Sequence, residues 1–484
     1  MKRRKLLTFL GVLVVVGGIA SAFYFTRPYE SARCSNEASS TWSPTDDVAN
    51  PVGLVVGNTH VDYAAALAQA TAQGEATLTQ RAHQPPKTNL FFFGAALSAH
   101  QAEGDNRNSD WWNFEQETKG MATSGAATDE YSRYDKDYAL AAQLGHNATR
   151  FSIEWAKIEP EEGKIDLSVL AHYQAVFASL RRHGLEPIVT LWHFTVPEWF
   201  AKKGGFECKN NLHYYERYIN LVGNEYAGQM KYVITINEPN VYAYKGYLLG
   251  EWPPGRHNDQ SAYAEVSSNL AEAHREAYTI LKKIDPTLQI GTANDEILYR
   301  AANGWNPIDQ LIRAYLAYDW NHKFLDSVRD QTDFVGLNYY FCRDVKFDFA
   351  LAKDYFASSC PSAQRTDLDW EIVPQGMYDM TMDLWQRYHK PILVTENGLA
   401  DRNDAQRATF ITEELAWLAK AKADGAQVIG YLHWALTDNF EWAEGFKPRF
   451  GLIEIDYKTL KRTVRPSAYV YRDLIRKYLK IFNK

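Results

Sequence analysis

The strongest constraint on the fold is a repeated order of short β-branched or aromatic runs, each followed by a longer helical pattern, from Leu90 onward. Eight such runs occur, at residues 90–95, 148–153, 187–192, 232–237, 289–293, 334–338, 392–395 and 428–434. The run at 187–192 is apolar on both faces, as parallel strands covered by helices must be. Eight β-then-α units predict an α/β fold with a single (β/α)8 TIM barrel, rather than an open doubly wound sheet.

Length and composition limit the alternatives. At about 150 residues per domain, 484 residues allow about three domains, but one enlarged barrel can use most of them. A net charge of −7 argues against nucleic acid as a partner. No zinc-hydrolase, P-loop or dinucleotide-binding motif occurs, so we expect neither a metal nor a cofactor.

The amino terminus has the pattern of a membrane-directing segment. Four basic residues at 2–5 precede an apolar run at 6–25, which reaches roughly 30 Å as a helix. This charge order predicts a cytoplasmic N-terminus and export of everything after Arg27. Residues 1–26 fit either an uncleaved, single-pass signal anchor or a signal peptide cleaved after Ala22, which would release a secreted protein.

A linker and one large domain account for the rest. Residues 27–89 are rich in Ser, Thr, Ala, Asn and Pro, with one possible short helix at 62–73. Residues 90–484 would form the barrel domain. Four cysteines are too few for a disulfide scaffold. Cys342 and Cys360 lie 18 positions apart, and in an exported domain they either pair or remain thiols.

Unusual polar and aromatic residues cluster where the predicted strands end. In a (β/α)8 barrel, the active site lies at the carboxyl ends of the strands. Residues at or near these ends include Gln101, Arg150, His193, Asn237, Glu238, Asn338, Tyr340, Glu396 and Trp434. Scattered surface residues would not follow this register.

Two glutamates in this cluster indicate which reaction it could catalyse. Glu238 ends the fourth strand and Glu396 the seventh, on roughly opposite sides of a closed barrel, so their carboxyl groups can converge over its mouth. Glycosidic bond cleavage requires two facing carboxyl groups, one protonated to donate to the leaving oxygen and the other ionised.

At this point the sequence resembles glycoside hydrolase family 1, the β-glucosidase family. The resemblance extends from about residue 90 to residue 474, with the motifs in family order. The matching runs are FGAALSAHQAEG (93–104), RFSIEW (150–155), TINEP (235–239), DFVGLNYY (333–340), VTENG (394–398), WALTDNFEWAEGF (434–446) and RFG (449–451).

The resemblance implies a retaining double-displacement mechanism on a small-molecule β-glycoside or oligosaccharide. Glu238 would be the general acid/base and Glu396 the nucleophile, with their carboxyl groups ~5–5.5 Å apart. Arg150 and Tyr340 would hold the nucleophile. Asn237 would bind the sugar 2-hydroxyl and Trp434 would form the floor of the sugar site. The other expected substrate-binding residues are Gln101, His193, Asn338, Glu441, Trp442 and Phe450.

A few residues of the sequence bear on which sugar the site prefers. Glu441 beside Trp442 favours an unphosphorylated sugar, because a carboxylate repels a 6-phosphate, but it leaves glucose, galactose and fucose open. Phe194-Thr195 stands where many family members have Trp-Asp, so that wall of the pocket differs. The aglycone side would be built from loops at 121–128 and 341–369.

Two other functions compete with hydrolysis. A transglycosylase would use the same glycosyl-enzyme intermediate. A catalytically silent sugar- or protein-binding barrel would have lost a carboxylate, and both glutamates are present here. The oligomeric state is not predicted.

Overall fold

The computed structural model describes residues 34, 91–348, 350–351, 356–362 and 364–483. Eight strands of these residues form the barrel: β1 Phe92–Ala96, β2 Ala148–Ser152, β3 Glu186–Thr190, β4 Tyr232–Asn237, β5 Gln289–Ala301, β6 Phe334–Val345, β8 Ile392–Asn397 and β9 Val428–Trp434. Three more lie outside it: β7 Ala357–Ser359, β10 Ile453–Asp456 and β11 Lys461–Val464.

The helices return the chain from one end of the barrel to the other. They are α1 Ala99–Ala102, α2 Asp110–Glu117, α3 Glu130–Gln143, α4 Trp155–Ile158, α5 Leu167–Arg182, α6 Glu198–Lys202, α7 Leu212–Glu225, α8 Pro239–Ala243, α9 Gln260–Ile284, α10 Pro307–Ala317, α11 Lys323–Val328, α12 Gln375–Tyr388, α13 Arg407–Ala423 and α14 Pro466–Phe482. A π-helical turn at Tyr318–His322 joins α10 to α11.

The sheet closes on itself. Its strand order is β5-β4-β3-β2-β1-β9-β8-β6, and β5 also pairs with β6. All eight barrel pairings are parallel, so every strand points its carboxyl end to the same face. The TIM-barrel prediction is therefore confirmed.

Side chains fill both the interior of the barrel and the space between its strands and helices. One buried cluster consists of strand residues only, among them Ile188, Ile234 and Leu432. The larger core lies between the strands and the helices. Strands approach closely at Gly94, where a Cβ would overlap the carbonyl oxygen of Ala148. The β1–β2 contact therefore requires glycine.

Two strands are longer than predicted. β5 and β6 extend to Ala301 and Val345, where the sequence predicted ends at 293 and 338. The predicted aglycone loop at 341–369 is therefore wrong at its start, since 341–345 are strand residues and β7 pairs antiparallel with β6. Asn294 and Asp295, which follow the predicted end of the fifth strand, lie within β5 and are buried, as is the next residue, Glu296.

Both pairs of cysteines form disulfides. Cys342 and Cys360 are bonded, which selects one of the two alternatives considered above. Cys34 is bonded to Cys208, a pairing that was not predicted. A short 3-10 turn at Lys209–Asn211 separates Cys208 from the start of α7, so Cys208 lies at the catalytic end of the barrel, in the loop after β3.

The predicted membrane-directing segment at 1–26 lies outside the described residues, and so does the linker at 27–89 apart from Cys34. Within the described part of the chain, no helix has the length and apolar character needed to span a bilayer.

Candidate active site

Glu396 is buried at the carboxyl end of β8, and both of its carboxylate oxygens are held. Arg150 of β2 donates from Nη1 to Oε1 at 2.5 Å, and the Tyr340 hydroxyl donates to Oε2 at 2.6 Å. Thr190 accepts from Nε of Arg150 at 2.9 Å and fixes the guanidinium. A cation and a phenol thus orient this carboxylate.

Glu238 follows β4, and its carboxyl group accepts a hydrogen bond from a neutral amide. Asn338 donates from Nδ2 to Oε1 of Glu238 at 2.7 Å, and Thr395 donates to the other end of that amide at 2.6 Å. The backbone of Glu238 has φ 42°, in the left-handed region that favours glycine. Strain of this kind persists where the surrounding structure enforces it, often at functional sites.

The pKa values of the two glutamates separate for physical reasons. Burial, then the charges of Glu396 and Asp295, raise the pKa of Glu238 well above its usual value. Burial also raises the pKa of Glu396, but Arg150 and Tyr340 oppose that increase. Glu396 therefore loses its proton at a lower pH than Glu238. An ionised Glu396 and a protonated Glu238 are the states that a nucleophile and a general acid need.

Asn237 and His193 continue the network from Arg150. The guanidinium donates from Nη2 to Oδ1 of Asn237 at 2.6 Å, and the amide nitrogen lies 3.4 Å from Nε2 of His193. Burial lowers the pKa of His193 well below its ordinary value, so the ring is neutral. Its buried Nδ1 atom has no hydrogen-bond partner among the described residues. A sugar hydroxyl could satisfy this atom.

Aromatic rings surround these polar groups. The His193 ring is parallel to the rings of Trp434 and Trp442, with centroids 6.0 and 6.1 Å away. Phe194 meets Trp442 edge-on at 5.3 Å, so a ring is kept on the wall where the sequence departs from the family. Phe450 meets Tyr340 at 6.4 Å. Flat, apolar faces of this kind suit the C–H faces of a pyranose.

Glu441 supplies a third carboxyl group on the sugar side. Gln101 donates from Nε2 to its Oε2 at 3.4 Å. Burial, then the charge of Glu396, raise the pKa of Glu441 to about 8, although hydrogen bonds from Trp434 and Gln101 oppose this. A protonated carboxyl group both donates and accepts, so it can bind two neighbouring hydroxyls.

The structure brings all twelve predicted site residues into one continuous set of hydrogen bonds and ring contacts at the carboxyl end of the barrel. They are Gln101, Arg150, His193, Asn237, Glu238, Asn338, Tyr340, Glu396, Trp434, Glu441, Trp442 and Phe450. The role of each residue stays a prediction.

Two further residues of the site were not predicted. Asp295 of β5 is buried, pairs in register with Asn338, and accepts from the indole of Trp320 at 3.0 Å. Trp370 lies 5.7 Å from Tyr340 and 6.2 Å from Phe450, ring to ring. Asp295 followed the predicted end of β5 and could have been included on that ground, whereas Trp370 follows a variable loop without a motif.

The family model for glycosyl hydrolase family 1 matches residues 84–302 and 316–479. Among curated relatives, β-glucosidase A of Thermotoga maritima is 30% identical over 435 residues, covering 80% of this chain and 97% of its own. A 6-phospho-β-galactosidase of Staphylococcus epidermidis is 30% identical over 457 residues, covering 79% and 97%. Among solved structures, a β-glycosidase from Pyrococcus horikoshii aligns with a TM-score of 0.74 at 37% identity, covering 81% and 95%.

Proposed function

The chain belongs to glycosyl hydrolase family 1 and is a retaining β-glycosidase, and we propose that it acts on unphosphorylated β-D-glucosides with Glu396 as nucleophile and Glu238 as acid/base. The relatives favour neither a transglycosylase nor a silent binding barrel. The observation that carries the assignment is the unequal surroundings of the two glutamates. Arg150 and Tyr340 hold Glu396, while Glu238 has the neutral amide of Asn338.

The different surroundings of Glu396 and Glu238 assign each residue its part in the reaction. In the first step Glu396 attacks the anomeric carbon while Glu238 donates its proton to the glycosidic oxygen, and the aglycone leaves. In the second step Glu238, now ionised, takes a proton from water, whose oxygen displaces Glu396 from the anomeric carbon. Asn237, held by Arg150, is placed to bind the 2-hydroxyl, a contact that strengthens in the transition state.

The proposed preference for an unphosphorylated sugar rests on Glu441. This residue offers a carboxyl group, ionised or protonated, to the sugar hydroxyls, and it brings no positive charge to a phosphate. Phosphate recognition normally uses Arg, Lys or backbone N–H groups. The name of the Staphylococcus relative therefore does not transfer to this chain.

A rate comparison tests the substrate. We expect kcat/KM for an aryl β-glucoside to exceed that for the matching 6-phospho-β-glucoside by at least ~100-fold, the cost of placing a phosphate beside a carboxyl group. Aryl β-galactoside, β-fucoside and β-mannoside complete the series. A larger kcat/KM for the phosphorylated sugar or for the β-galactoside would overturn the proposed substrate.

We also propose that the barrel is exported and remains at the membrane. The basic residues at 2–5 and the apolar run at 6–25 support export, and so do two disulfides, which persist in oxidising compartments. Protease accessibility of the full chain in intact cells tests this location. Protection of the barrel until the cells are lysed would contradict it.

A further inference from the structure

An apolar surface stands beside the catalytic end of the barrel and has no role in the proposed reaction. Trp305 is 96% exposed, Tyr315 56%, Tyr318 46% and Leu311 44%. We call these four residues the outer face of α10. Leu311 and Tyr315 lie on the helix, Trp305 precedes it and Tyr318 follows it. Trp305 is the most exposed large hydrophobic side chain among the described residues. Exposed apolar patches of this kind mark interaction sites more often than chance.

The outward side of α10 is apolar and uncharged. At 100° per residue, Leu311, Tyr315 and Tyr318 project on one side, and the exposed positions between them are Pro307, Gln310 and Ala314, so the outward side carries no charge. A surface helix normally presents charged residues to water. The buried residue of α10 is Asp309, which accepts from Asn306 and from the backbone N–H of Phe347, both at 2.9 Å.

Those contacts fix where the surface lies. Phe347 follows the carboxyl end of β6, and α10 itself follows the carboxyl end of β5, so α10 packs at the catalytic end. The family match stops at residue 302 and resumes at 316, so most of α10 and Trp305 fall in the interval between the two matched stretches. Three of the four residues of the outer face, Trp305, Leu311 and Tyr315, therefore lie outside the matched stretches, and Tyr318 lies inside the second one.

A second, independent observation brings the amino terminus to the same end. The disulfide from Cys34 ends on Cys208, in the loop after β3 that also carries Phe206. The ring of Phe206 packs on Trp192, next to His193 of the site, at 4.8 Å. Nine Cα steps separate the end of the apolar run at Phe25 from Cys34, at most ~30 Å of extended chain.

We propose that the outer face of α10 lies in the headgroup region of a phospholipid bilayer, so that the catalytic end of the barrel faces the membrane. Trp and Tyr are the side chains enriched at that depth, and an uncharged apolar face fits it. The short reach from residue 25 to Cys34 brings the same end of the barrel toward the bilayer. This placement rests on the proposed export, and it adds an orientation that the reaction does not require.

A second copy of the chain is a weaker occupant. At 150–250 Å² for each fully exposed aromatic side chain, the outer face presents roughly 500 Å², less than the ~800 Å² that each partner of a stable dimer buries. Bilayer insertion has no such minimum, because each side chain that leaves water contributes separately.

Fluorescence quenching by brominated lipid tests the orientation. The full chain is placed in vesicles of phosphatidylcholine and phosphatidylglycerol, three to one, with and without brominated phosphatidylcholine. We expect most of the quenched tryptophan emission to disappear in Trp305→Phe and to remain in Trp417→Phe, a control on α13 whose half-buried ring packs against Tyr378. The aryl β-glucosidase rate is measured in the same samples, so a failure of the proposed activity is seen separately from a failure of docking.

Equal quenching in wild type and Trp305→Phe would overturn the proposal. So would a concentration-dependent dimer, seen by light scattering, that is lost in Leu311→Ser/Tyr315→Ser while quenching is absent. The variant Tyr469→Ser/Ile481→Ser, whose exposed residues lie on α14, controls for general loss of surface hydrophobicity. If this control variant lowers the quenching signal as much as Trp305→Phe does, that result would also contradict the proposal.

Discussion

At the scale of single residues, the site depends on how two chemically identical glutamates are made different. Arg150 and Tyr340 stabilise the ionised form of Glu396 by direct hydrogen bonds. Glu238 accepts from the neutral amide of Asn338, and the charges of Glu396 and Asp295 raise its pKa more than the charge of Arg150 lowers it. The difference comes from partners on β2 and β6 rather than from the strand that carries either glutamate.

Removing the nucleophile should stop hydrolysis. We expect Glu396→Ala to lower kcat for an aryl β-glucoside by at least ~10⁴-fold, because no covalent intermediate can form. Added azide should restore turnover and give the α-glycosyl azide, since it enters from the face that Glu396 leaves. Product analysis by NMR checks this, and a β-glycosyl azide would exchange the roles of the two glutamates.

Removing the acid should change the pH profile. The basic limb of kcat/KM reports loss of the proton from the acid, so it should be absent in Glu238→Gln with an activated aryl glucoside. The wild-type profile, measured in the same buffers, is the reference. A basic limb that persists unchanged would mean that another group donates the proton.

Asp295 should set the position of that basic limb. Its negative charge is one cause of the raised pKa of Glu238, and burial raises its own pKa to about 7. Above pH 7 the Asp295→Asn variant removes a charge that disfavours ionised Glu238, so the pKa of Glu238 falls. We expect the basic limb of kcat/KM to move to lower pH. A move to higher pH would contradict this electrostatic role.

At the scale of elements, the sequence predicted the strands well and their extensions poorly. The bounds of β4 and β9 match the predicted ones, and both strands are runs rich in apolar or β-branched residues. The end of β5 was missed because Asp295 and its neighbours are polar. Burial in the site, which a one-dimensional pattern does not show, keeps them in the strand. The end of β6 was missed because its last residues pair with the extended part of β5, a contact that the sequence does not show. The partner of Cys34 could not be predicted either, since 174 residues separate it from Cys208.

The packing of β8 against β9 should be sensitive to one methyl group. A Cβ at Gly398 would overlap the carbonyl oxygen of Trp434, the proposed floor of the sugar site. We expect Gly398→Ala to cost about 1–3 kcal/mol of stability and to lower kcat/KM at least ~tenfold. Gly304→Ala is the control, because its Cβ would meet only Gln310 at 3.9 Å. Wild-type kinetics in Gly398→Ala would show that the floor tolerates displacement.

At the scale of the whole molecule, buried ionisable groups give stability a pH dependence of known sign. Burial lowers the pKa of His146 to about 3 and of His274 to about 4, so the unfolded chain binds more protons and stability rises with pH up to about 6.5. Burial, then neighbouring carboxylates, raise the pKa of Glu130 to about 8. Burial is also the main cause that raises the pKa of Glu154 to about 7. For these two carboxyls the folded chain binds more protons, and stability falls with pH above about 4.5.

The two effects oppose each other below pH 6.5, and only the carboxyl effect remains above it. We therefore expect the free energy of unfolding to decrease from pH 6.5 to pH 8. Glu130→Gln should remove about 1–2 kcal/mol of that decrease, while the exposed Glu117→Gln should leave it unchanged. Urea unfolding at both pH values measures it, and a more stable wild type at pH 8 would contradict the assignment.

The bond between Cys34 and Cys208 means that a protease can cut the chain without dividing it. Residues 35–89 connect Cys34 to the barrel along the backbone, and the disulfide provides a second covalent connection. A single cut between residues 35 and 89 would therefore leave both pieces joined. On a denaturing gel the nicked chain should run as one species, and adding a reductant should separate it into two. Proteolysis between residues 35 and 89 would thus not release the enzyme from whatever holds its amino terminus.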